Sequence, residues 1–265
     1  MHFISYSCYS DSMKRKNLPF LIYVVICCLV AVALTTMNIV KGVNGELMNK
    51  PTSDFLFLPI FICKLLGPGL SLLFSLYLFL AHKDKAIRFW SSFICLFMLI
   101  CLLADLLNGL GYPNSLFICF AVAYTLVAIF RKPRWVEVAV RAPLLIAAIL
   151  FAVLIGDRLK DNVRLTVVAA SALFCTLGFA IYYFVKRKNG FNRYCLMAFA
   201  FATISDAFLA LASVTSNNMT LSNIIYLFVW PTYLIEYILL NKALQIDLND
   251  GKPSISEKSE KTVEN

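Results

Sequence analysis

Charged residues are scarce in this chain of 265 residues. Only 15% of the residues are charged and 60% are hydrophobic, whereas a soluble domain averages about 25% charged and about 45–50% apolar residues. A soluble protein of this length could not bury so much apolar surface in one core. The composition therefore excludes an ordinary soluble domain and indicates an integral membrane protein.

Histidines are scarce as well, and the cysteines lack the spacing of a metal site. The chain has two histidines, and neither falls in the apolar runs described below, which excludes a serine–histidine–aspartate triad within the membrane. Eight of the nine cysteines lie in those runs, but no C-x-x-C pair occurs. Metal-ligand spacing is thus missing, and we expect neither a metal nor another cofactor.

The sequence contains long apolar runs. About 20 apolar residues are needed for a helix to cross the hydrocarbon, and eight candidate runs occur. Only helices and closed barrels satisfy their backbone groups in lipid, and these continuous runs lack the alternation of barrel strands. The sequence therefore predicts an all-α bundle of eight transmembrane helices. The predicted spans are Leu18–Val40, Phe55–Leu80, Phe89–Leu110, Ser115–Phe130, Val136–Ile155, Leu165–Val185, Tyr194–Val214 and Ile224–Leu240.

The basic residues alternate along the chain. Eight spans create nine flanking segments, and the odd-numbered segments hold 17 lysines and arginines while the even-numbered ones hold five. This alternation is typical of the positive-inside rule with both termini in the cytoplasm, and it gives no indication of nucleic-acid binding. We expect a cytoplasmic segment over residues 1–17, the membrane domain over 18–245, and a disordered cytoplasmic tail over 246–265. A kink or a partial unwinding is expected within the second span, at Gly67–Gly69.

Several polar residues interrupt the apolar runs. Ionisable groups at mid-span cost about 2.5–3.5 kcal/mol each, so they normally face the bundle interior and pair with one another. One lysine cannot neutralise three carboxylates, so we expect at least one acid to be protonated beside an ionised one, as general acid–base hydrolysis requires. The competing interpretation is that these groups form interhelical hydrogen bonds that hold the bundle together. Depths of about 8–18 Å from the non-cytoplasmic side are predicted for Lys64, Asp105, Tyr124, Asp206, Tyr233 and Glu236.

The order of these residues resembles the YhhN family of lysoplasmalogenase-like membrane hydrolases. That family has eight transmembrane helices, with Lys-Pro-Leu on the second, Gly-Asp on the third, His and Tyr on the fourth, Ser-Asp on the seventh and Tyr-x-x-Gln on the eighth. The corresponding spans here carry Lys64-Leu65-Leu66, Ala104-Asp105, Ser205-Asp206 and Tyr233-Leu234-Ile235-Glu236. The chain departs from the pattern at Leu65, Ala104 and Glu236, and it has Tyr124 and Val127 in place of the histidine and tyrosine of the fourth helix.

The resemblance implies hydrolysis of the vinyl-ether bond of lysoplasmalogens to a fatty aldehyde and a glycerophospho-base. The substrate would be a lysophospholipid that enters from the bilayer, and no cofactor is implied. Asp105 and Asp206 would be the catalytic acid and base, in either order. Supporting roles would fall to Lys64, Tyr124, Tyr233 and Glu236. Ser205 is expected to be a packing serine or a supporting donor rather than a nucleophile.

Two other functions fit the same sequence. Intramembrane acids and a helix broken at a glycine–proline–glycine segment also suit a proton-coupled transporter of small molecules or lipids, although the two four-helix halves show no convincing repeat. Loss of the family's histidine would suit a catalytically inactive, lipid-binding homologue. The expected membrane is the inner or plasma membrane in a bacterium and the endoplasmic reticulum in a eukaryote.

Overall fold

The described part of the chain is built from helices. A computed structural model describes residues 3–48, 56–81, 85–112, 118–125, 135–154, 161–186 and 188–250, and no strand occurs among them. The helices are α1 (Phe3–Val43), α2 (Phe57–Ala81), α3 (Lys85–Gly109), α4 (118–125), α5 (Trp135–Leu154), α6 (Asp161–Lys186), α7 (Gly190–Val214), α8 (Met219–Tyr226) and α9 (Val229–Asp250).

Within the described residues, six helical segments are long and apolar enough to cross a membrane. They leave large hydrophobic side chains uncovered; Leu29 and Val32, for example, are each 64% exposed. So much apolar surface is unfavourable in water but matches the hydrocarbon of a bilayer. The protein is therefore an all-helical, multi-pass integral membrane protein, as the composition predicts. The six segments are Leu18–Val43, Phe57–Ala81, Ser91–Gly109, Thr166–Lys186, Gly190–Val214 and Met219–Ile246.

The fourth and fifth predicted spans are seen less completely. The described part of the fourth span is α4, and the remainder of that span lies outside the described residues. α5 is helical over residues 136–154 of the predicted span, but its apolar part, Ala139–Phe151, is shorter than a standard span. The count of eight helices and the sidedness of the termini stay predictions.

The last membrane segment consists of two helices in sequence. α8 ends at Tyr226 and α9 begins at Val229, with a turn at residues 227–228. Pro231 explains the break, because it has no N–H to donate to the carbonyl of Leu227 four residues earlier. The chain therefore bends just before Tyr233.

The second segment does not unwind, contrary to the expectation at Gly67–Gly69. α2 is continuous from Phe57 to Ala81 through Pro68. Gly67 instead allows close packing against α9, because a Cβ added there would lie 2.6 Å from a methyl carbon of Leu234. The helix tolerates the missing donor of Pro68, while the small Gly67 lets the neighbouring helix approach.

α9 is the central helix of the described bundle. It contacts α1, α2, α3, α7 and α8, and half of its membrane segment is buried, against 22–39% for the other five. Two contacts show which helix ends lie together: the backbone N–H of Met48 donates to Asn223 Oδ1 at 2.9 Å, and Gly109 packs on the ring of Phe61. We call this end, where α1, α3 and α7 finish and α2 and α8 begin, the upper end.

A hydrogen-bonded network fixes the lower half of α9. The Asn241 side chain donates to the Tyr23 hydroxyl at 3.1 Å and accepts from the Ser75 hydroxyl at 2.7 Å. Tyr23 also shares a hydrogen bond of 2.6 Å with Ser71. These four buried residues, which we call the lower network, join α1, α2 and α9 and leave the amide of Asn241 fully used.

Candidate functional site

The six predicted polar residues surround the upper half of α9. Asp105, Lys64 and Asp206 lie about 6, 10 and 12 Å below the upper ends of α3, α2 and α7, at 1.5 Å of rise per residue. Five helices contribute: α2 supplies Lys64, α3 Asp105, α4 Tyr124, α7 Asp206, and α9 both Tyr233 and Glu236.

Glu236 lies deeper in the bundle than the other two acids. The Ser205 hydroxyl donates to the Val229 carbonyl at 3.0 Å, which places the start of α9 level with Ser205. Glu236 is then about 10 Å further down α9. Side chains tilt toward the N-terminus of their helix, so Asp105 and Asp206 lean downward and Glu236 leans upward. Opposite helix directions therefore bring the three carboxyl groups toward one another.

Lys64 and Asp105 form one half of the cluster. Asp105 is 7% exposed, and the charge it interacts with is that of Lys64 on the neighbouring α2. The Lys64 ammonium also lies 5.1 Å from the centre of the Trp230 ring, a distance at which a cation is attracted to the ring face. The lysine therefore lies beside an aromatic face and within electrostatic range of a carboxyl group.

Asp206 and Glu236 form the other half. Glu236 is fully buried and lies within electrostatic range of Asp206, while the hydroxyl of Tyr124 lies close to its carboxyl group. Asp206 keeps part of its surface exposed, so it is the more accessible member of the pair. Two neighbouring carboxyl groups repel each other when both are ionised, and more strongly in a medium of low dielectric constant.

Two tyrosines and a cysteine connect the halves. Tyr233 interacts electrostatically with both Asp105 and Glu236, and its ring lies 4.6 Å from that of Tyr237. Tyr237 is fully buried and lies close to the Cys101 thiol. We call Asp105, Asp206 and Glu236, together with Lys64 and the three tyrosines at 124, 233 and 237, the carboxylate cluster.

The cluster contains most of the unpaired buried polar atoms of the described structure. Neither oxygen of Glu236 completes a hydrogen bond with a described residue, and the same holds for Asp105 Oδ2 and the hydroxyls of Tyr233 and Tyr237. Buried polar groups are nearly always hydrogen-bonded in folded proteins, and leaving one unpaired costs about 1–3 kcal/mol. Five such donors and acceptors in one place suit the binding of a polar molecule.

Hydrogen bonds to its backbone carbonyl hold Tyr124 in place. Its backbone carbonyl accepts hydrogen bonds from Thr176 Oγ1 at 3.0 Å and from a guanidinium nitrogen of Arg141 at 3.4 Å. The same arginine donates to Thr176 and lies over the ring of Phe179. The buried arginine of α5 therefore anchors α4 to α6 and fixes the position from which the Tyr124 hydroxyl reaches Glu236.

The Ser205 hydroxyl makes a contact to the backbone. It donates to the backbone carbonyl of Val229 and ties α7 to the start of α9. This contact orients the helix that carries Asp206. A serine that donates to a backbone carbonyl is placed for packing rather than for nucleophilic attack.

Sequence reasoning missed several residues of the site. Tyr237 follows Tyr233 by four positions and Cys101 precedes Asp105 by four, so each shares a helix face with a predicted residue; this spacing could have identified them. Arg141 was visible as a charge within an apolar run, but its contact with Tyr124 depends on tertiary structure. Among the described residues, no group of three or more histidine, cysteine, aspartate or glutamate side chains is arranged to hold a metal ion.

Comparison with known proteins gives no relative. No protein-family model matches the chain, no curated protein is significantly similar to it, and no solved structure shares its fold at a significant level. The function therefore has to be argued from the site itself.

Proposed function

We propose that this protein is a membrane-embedded hydrolase that cleaves the vinyl-ether bond of lysoplasmalogens by carboxylate acid–base chemistry. The observation that supports this most strongly is the convergence of Asp105, Asp206 and Glu236, with three of their oxygens buried and unpaired. A purely structural polar cluster would satisfy its own hydrogen bonds, as the lower network does. The resemblance to the YhhN family agrees with the same residues.

The two halves of the cluster suit different roles. Asp206 and Glu236 would share a proton between them, because two adjacent carboxylates repel in the bundle interior. Asp206 is the accessible member and would donate that proton to the outer carbon of the vinyl ether. Asp105, beside the positive charge of Lys64, would stay ionised and stabilise the oxocarbenium ion that protonation creates.

Water completes the reaction. Its oxygen attacks the carbon next to the ether oxygen, and Asp105 accepts its proton. The hemiacetal then collapses: its hydroxyl proton returns to Asp206, the bond from that carbon to the glycerol oxygen breaks, the glycerol oxygen takes the proton held by Asp105, and a fatty aldehyde leaves. Tyr124 and Tyr233 would orient the groups by hydrogen bonding. The overall reaction consumes one water and needs no cofactor.

The number of membrane spans and the sidedness of the termini are part of the same proposal. Eight spans, with α4 and α5 completing the bundle and both termini in the cytoplasm, would place the upper end on the non-cytoplasmic side. The 17-to-five distribution of basic residues supports this arrangement. Labelling of single cysteines introduced at residues 44 and 188, with a reagent that does not cross membranes, should modify only position 44 in intact cells or sealed vesicles.

The test of activity is aldehyde release by the purified protein in detergent. We expect release from a vinyl-ether lysophospholipid and none from its saturated-ether analogue. Asp105→Asn and Asp206→Asn should each lower the rate at least about 100-fold, the usual contribution of a general acid or base. Asp247→Asn is the matched control, because it lies about 16 Å beyond Glu236 along α9. Full activity in both cluster variants would refute the mechanism, and absence of release from the wild type would favour a transporter or an inactive homologue.

A further inference from the structure

The indole of Trp230 lies at the break between α8 and α9. Trp230 is the second residue of α9 and is 8% exposed. Its Nε1–H donates to the Tyr226 hydroxyl at 3.2 Å, across the turn that separates the two helices. The Tyr233 ring stands perpendicular to the indole, with ring centres 5.5 Å apart and an interplanar angle of 89°. The hydrogen bond and the perpendicular ring contact together restrict the orientation of the indole plane.

The face of this indole makes a close contact with the Lys64 ammonium. Nζ lies 5.1 Å from the ring centre, a distance at which tryptophan attracts a cation more strongly than tyrosine or phenylalanine does. Lys64 forms no ion pair and no hydrogen bond with any described residue. A lysine side chain loses much conformational entropy when it is ordered. The indole is therefore the group that restricts the position of the ammonium.

The register of α2 against α9 brings Lys64 to this ring. Gly67, three residues after Lys64, packs against Leu234. Leu234 in turn follows Trp230 by four residues. Both helices run downward from the upper end, and spacings of three and four residues stay on one face of a helix. The contact of Lys64 with Trp230 and the contact of α2 with Leu234 therefore lie one turn apart along the same helix pair.

The packing of α2 against α3 places Asp105 at a depth similar to that of Lys64. Gly109 packs on the Phe61 ring, and the two helices run in opposite directions. Lys64 follows Phe61 by three residues, which is about 4.5 Å down α2. Asp105 precedes Gly109 by four residues, which is about 6 Å down α3. Lys64 also lies between Phe61, which faces α3, and Gly67, which faces α9. It is thus placed where α2, α3 and α9 meet.

We propose that Trp230 is a positioning residue of the carboxylate cluster, and that its ring holds the Lys64 ammonium beside Asp105. The inference rests on the proposed function, in which Asp105 stays ionised and stabilises the oxocarbenium ion. An ammonium group held on the ring favours the ionised carboxylate through its charge. Because Lys64 forms no ion pair with Asp105, the carboxylate stays available to the developing cation. Tyr226 supports the arrangement because it fixes the ring.

Site-resolved acylation of amines tests the contact without turnover. The purified protein in detergent is treated with acetic anhydride, and modification of Lys64 and Lys242 is followed over time by mass spectrometry. The ring favours the protonated amine and covers one side of it, and both effects slow acylation. We expect Trp230→Leu to raise the acylation rate of Lys64 at least about fivefold. An unchanged or lower rate in the folded variant would overturn the proposal.

Lys242 is the internal control, because it has a similar ring contact far from the site. Its ammonium lies 4.6 Å from the centre of the Phe20 ring, and it is about 18 Å from Trp230 along α9. Trp230→Leu should leave the acylation rate of Lys242 unchanged. An equal rise at both lysines would indicate a general loosening of the fold and would contradict a positioning role.

Two milder variants keep the test decisive if Trp230→Leu does not fold. Trp230→Phe retains a weaker aromatic face, so its acylation rate at Lys64 should lie between those of the wild type and the leucine variant. Tyr226→Phe keeps the packing but removes the acceptor of the indole N–H, so it should also raise the rate. Wild-type rates in both phenylalanine variants would overturn the proposal.

A double-mutant cycle separates positioning from structural support. Lys64→Met and Trp230→Leu should each lower the rate of aldehyde release about tenfold or more. If Trp230 acts through Lys64, the double variant should be no slower than Lys64→Met alone. Losses that multiply would contradict a role through Lys64. If the wild type releases no aldehyde, the proposed function fails, and the acylation rates still decide whether Trp230 holds Lys64.

Discussion

Two buried polar residues on α9 should respond in opposite ways to the same substitution. Glu236 and Asn241 are both completely buried, five residues apart on the central helix. The Asn241 amide makes hydrogen bonds to Ser75 and Tyr23, whereas neither oxygen of Glu236 completes one. If Glu236 is retained for function and Asn241 for structure, replacing each by leucine separates the two roles.

The expected magnitudes follow from those contacts. Glu236→Leu removes two unpaired buried oxygens. A buried polar group without a hydrogen-bond partner lowers the stability of the fold by about 1–3 kcal/mol, so the variant should be more stable by that amount. Asn241→Leu loses two interhelical hydrogen bonds, each worth about 0.6–1.7 kcal/mol in membranes, so it should be less stable by about 1–3 kcal/mol. Tyr23 and Ser75 keep other partners on α2, which limits the loss.

The assay is reversible unfolding of the purified protein in mixed micelles, with aldehyde release measured on the same samples. Glu236→Leu should combine higher stability with loss of activity, the exchange expected where a functional group is held at the cost of stability. Asn241→Leu, corrected for its folded fraction, should keep its activity. A destabilised Glu236→Leu variant would show that the carboxyl group is a structural contact and would refute our reading of the cluster.

Three further outcomes are expected. Asn223→Ala should cost about 1–3 kcal/mol in the same unfolding assay, because Asn223 binds the backbone of Met48 at 2.9 Å and the backbone carbonyl of Glu46 at 3.0 Å; no loss would show that this connection is dispensable. Gly67→Ala should cost about 1–3 kcal/mol through overpacking. Gly69→Ala, where an added Cβ has nothing within 4 Å, should be neutral or stabilising by up to about 1 kcal/mol because alanine favours helix.

The membrane fold was predictable because helices that lie in lipid need a largely apolar composition. Continuous apolar runs identify helices whether or not the packing is known, and six of them are confirmed as long, apolar helices. The break before α9 was predictable from Pro231, since a missing donor acts locally. The continuity of α2 through Gly67–Gly69 was not predictable from sequence. Whether a glycine unwinds a helix or lets a neighbouring helix approach depends on what packs against it, which is Leu234 here.

The candidate site was predictable to the extent that charge is conspicuous in an apolar run. Asp105, Asp206 and Glu236 could be identified in this way, and the structure brings them around one helix. Their pairing could not be derived, because it depends on side-chain tilt in helices of opposite direction and on the register of α9 against α7. Lys41 lies just beyond the first predicted span, so its sequence position gives no sign that it is buried; its burial accompanies the packing of residues 44–48 onto Asn223.

The contrast along α9 also limits which functions the site can support. Its lower half is joined to α1 and α2 by hydrogen bonds that leave Asn241 satisfied, so that half is not free to slide without breaking them. Its upper half is fixed by the Ser205 contact to Val229 and carries the unpaired groups. A carrier that alternates between two openings needs mobile helices around its binding site. A central helix tied at both ends, with unpaired carboxyl groups between the ties, is better suited to preorganised acid–base chemistry, in which groups stay in place while protons move.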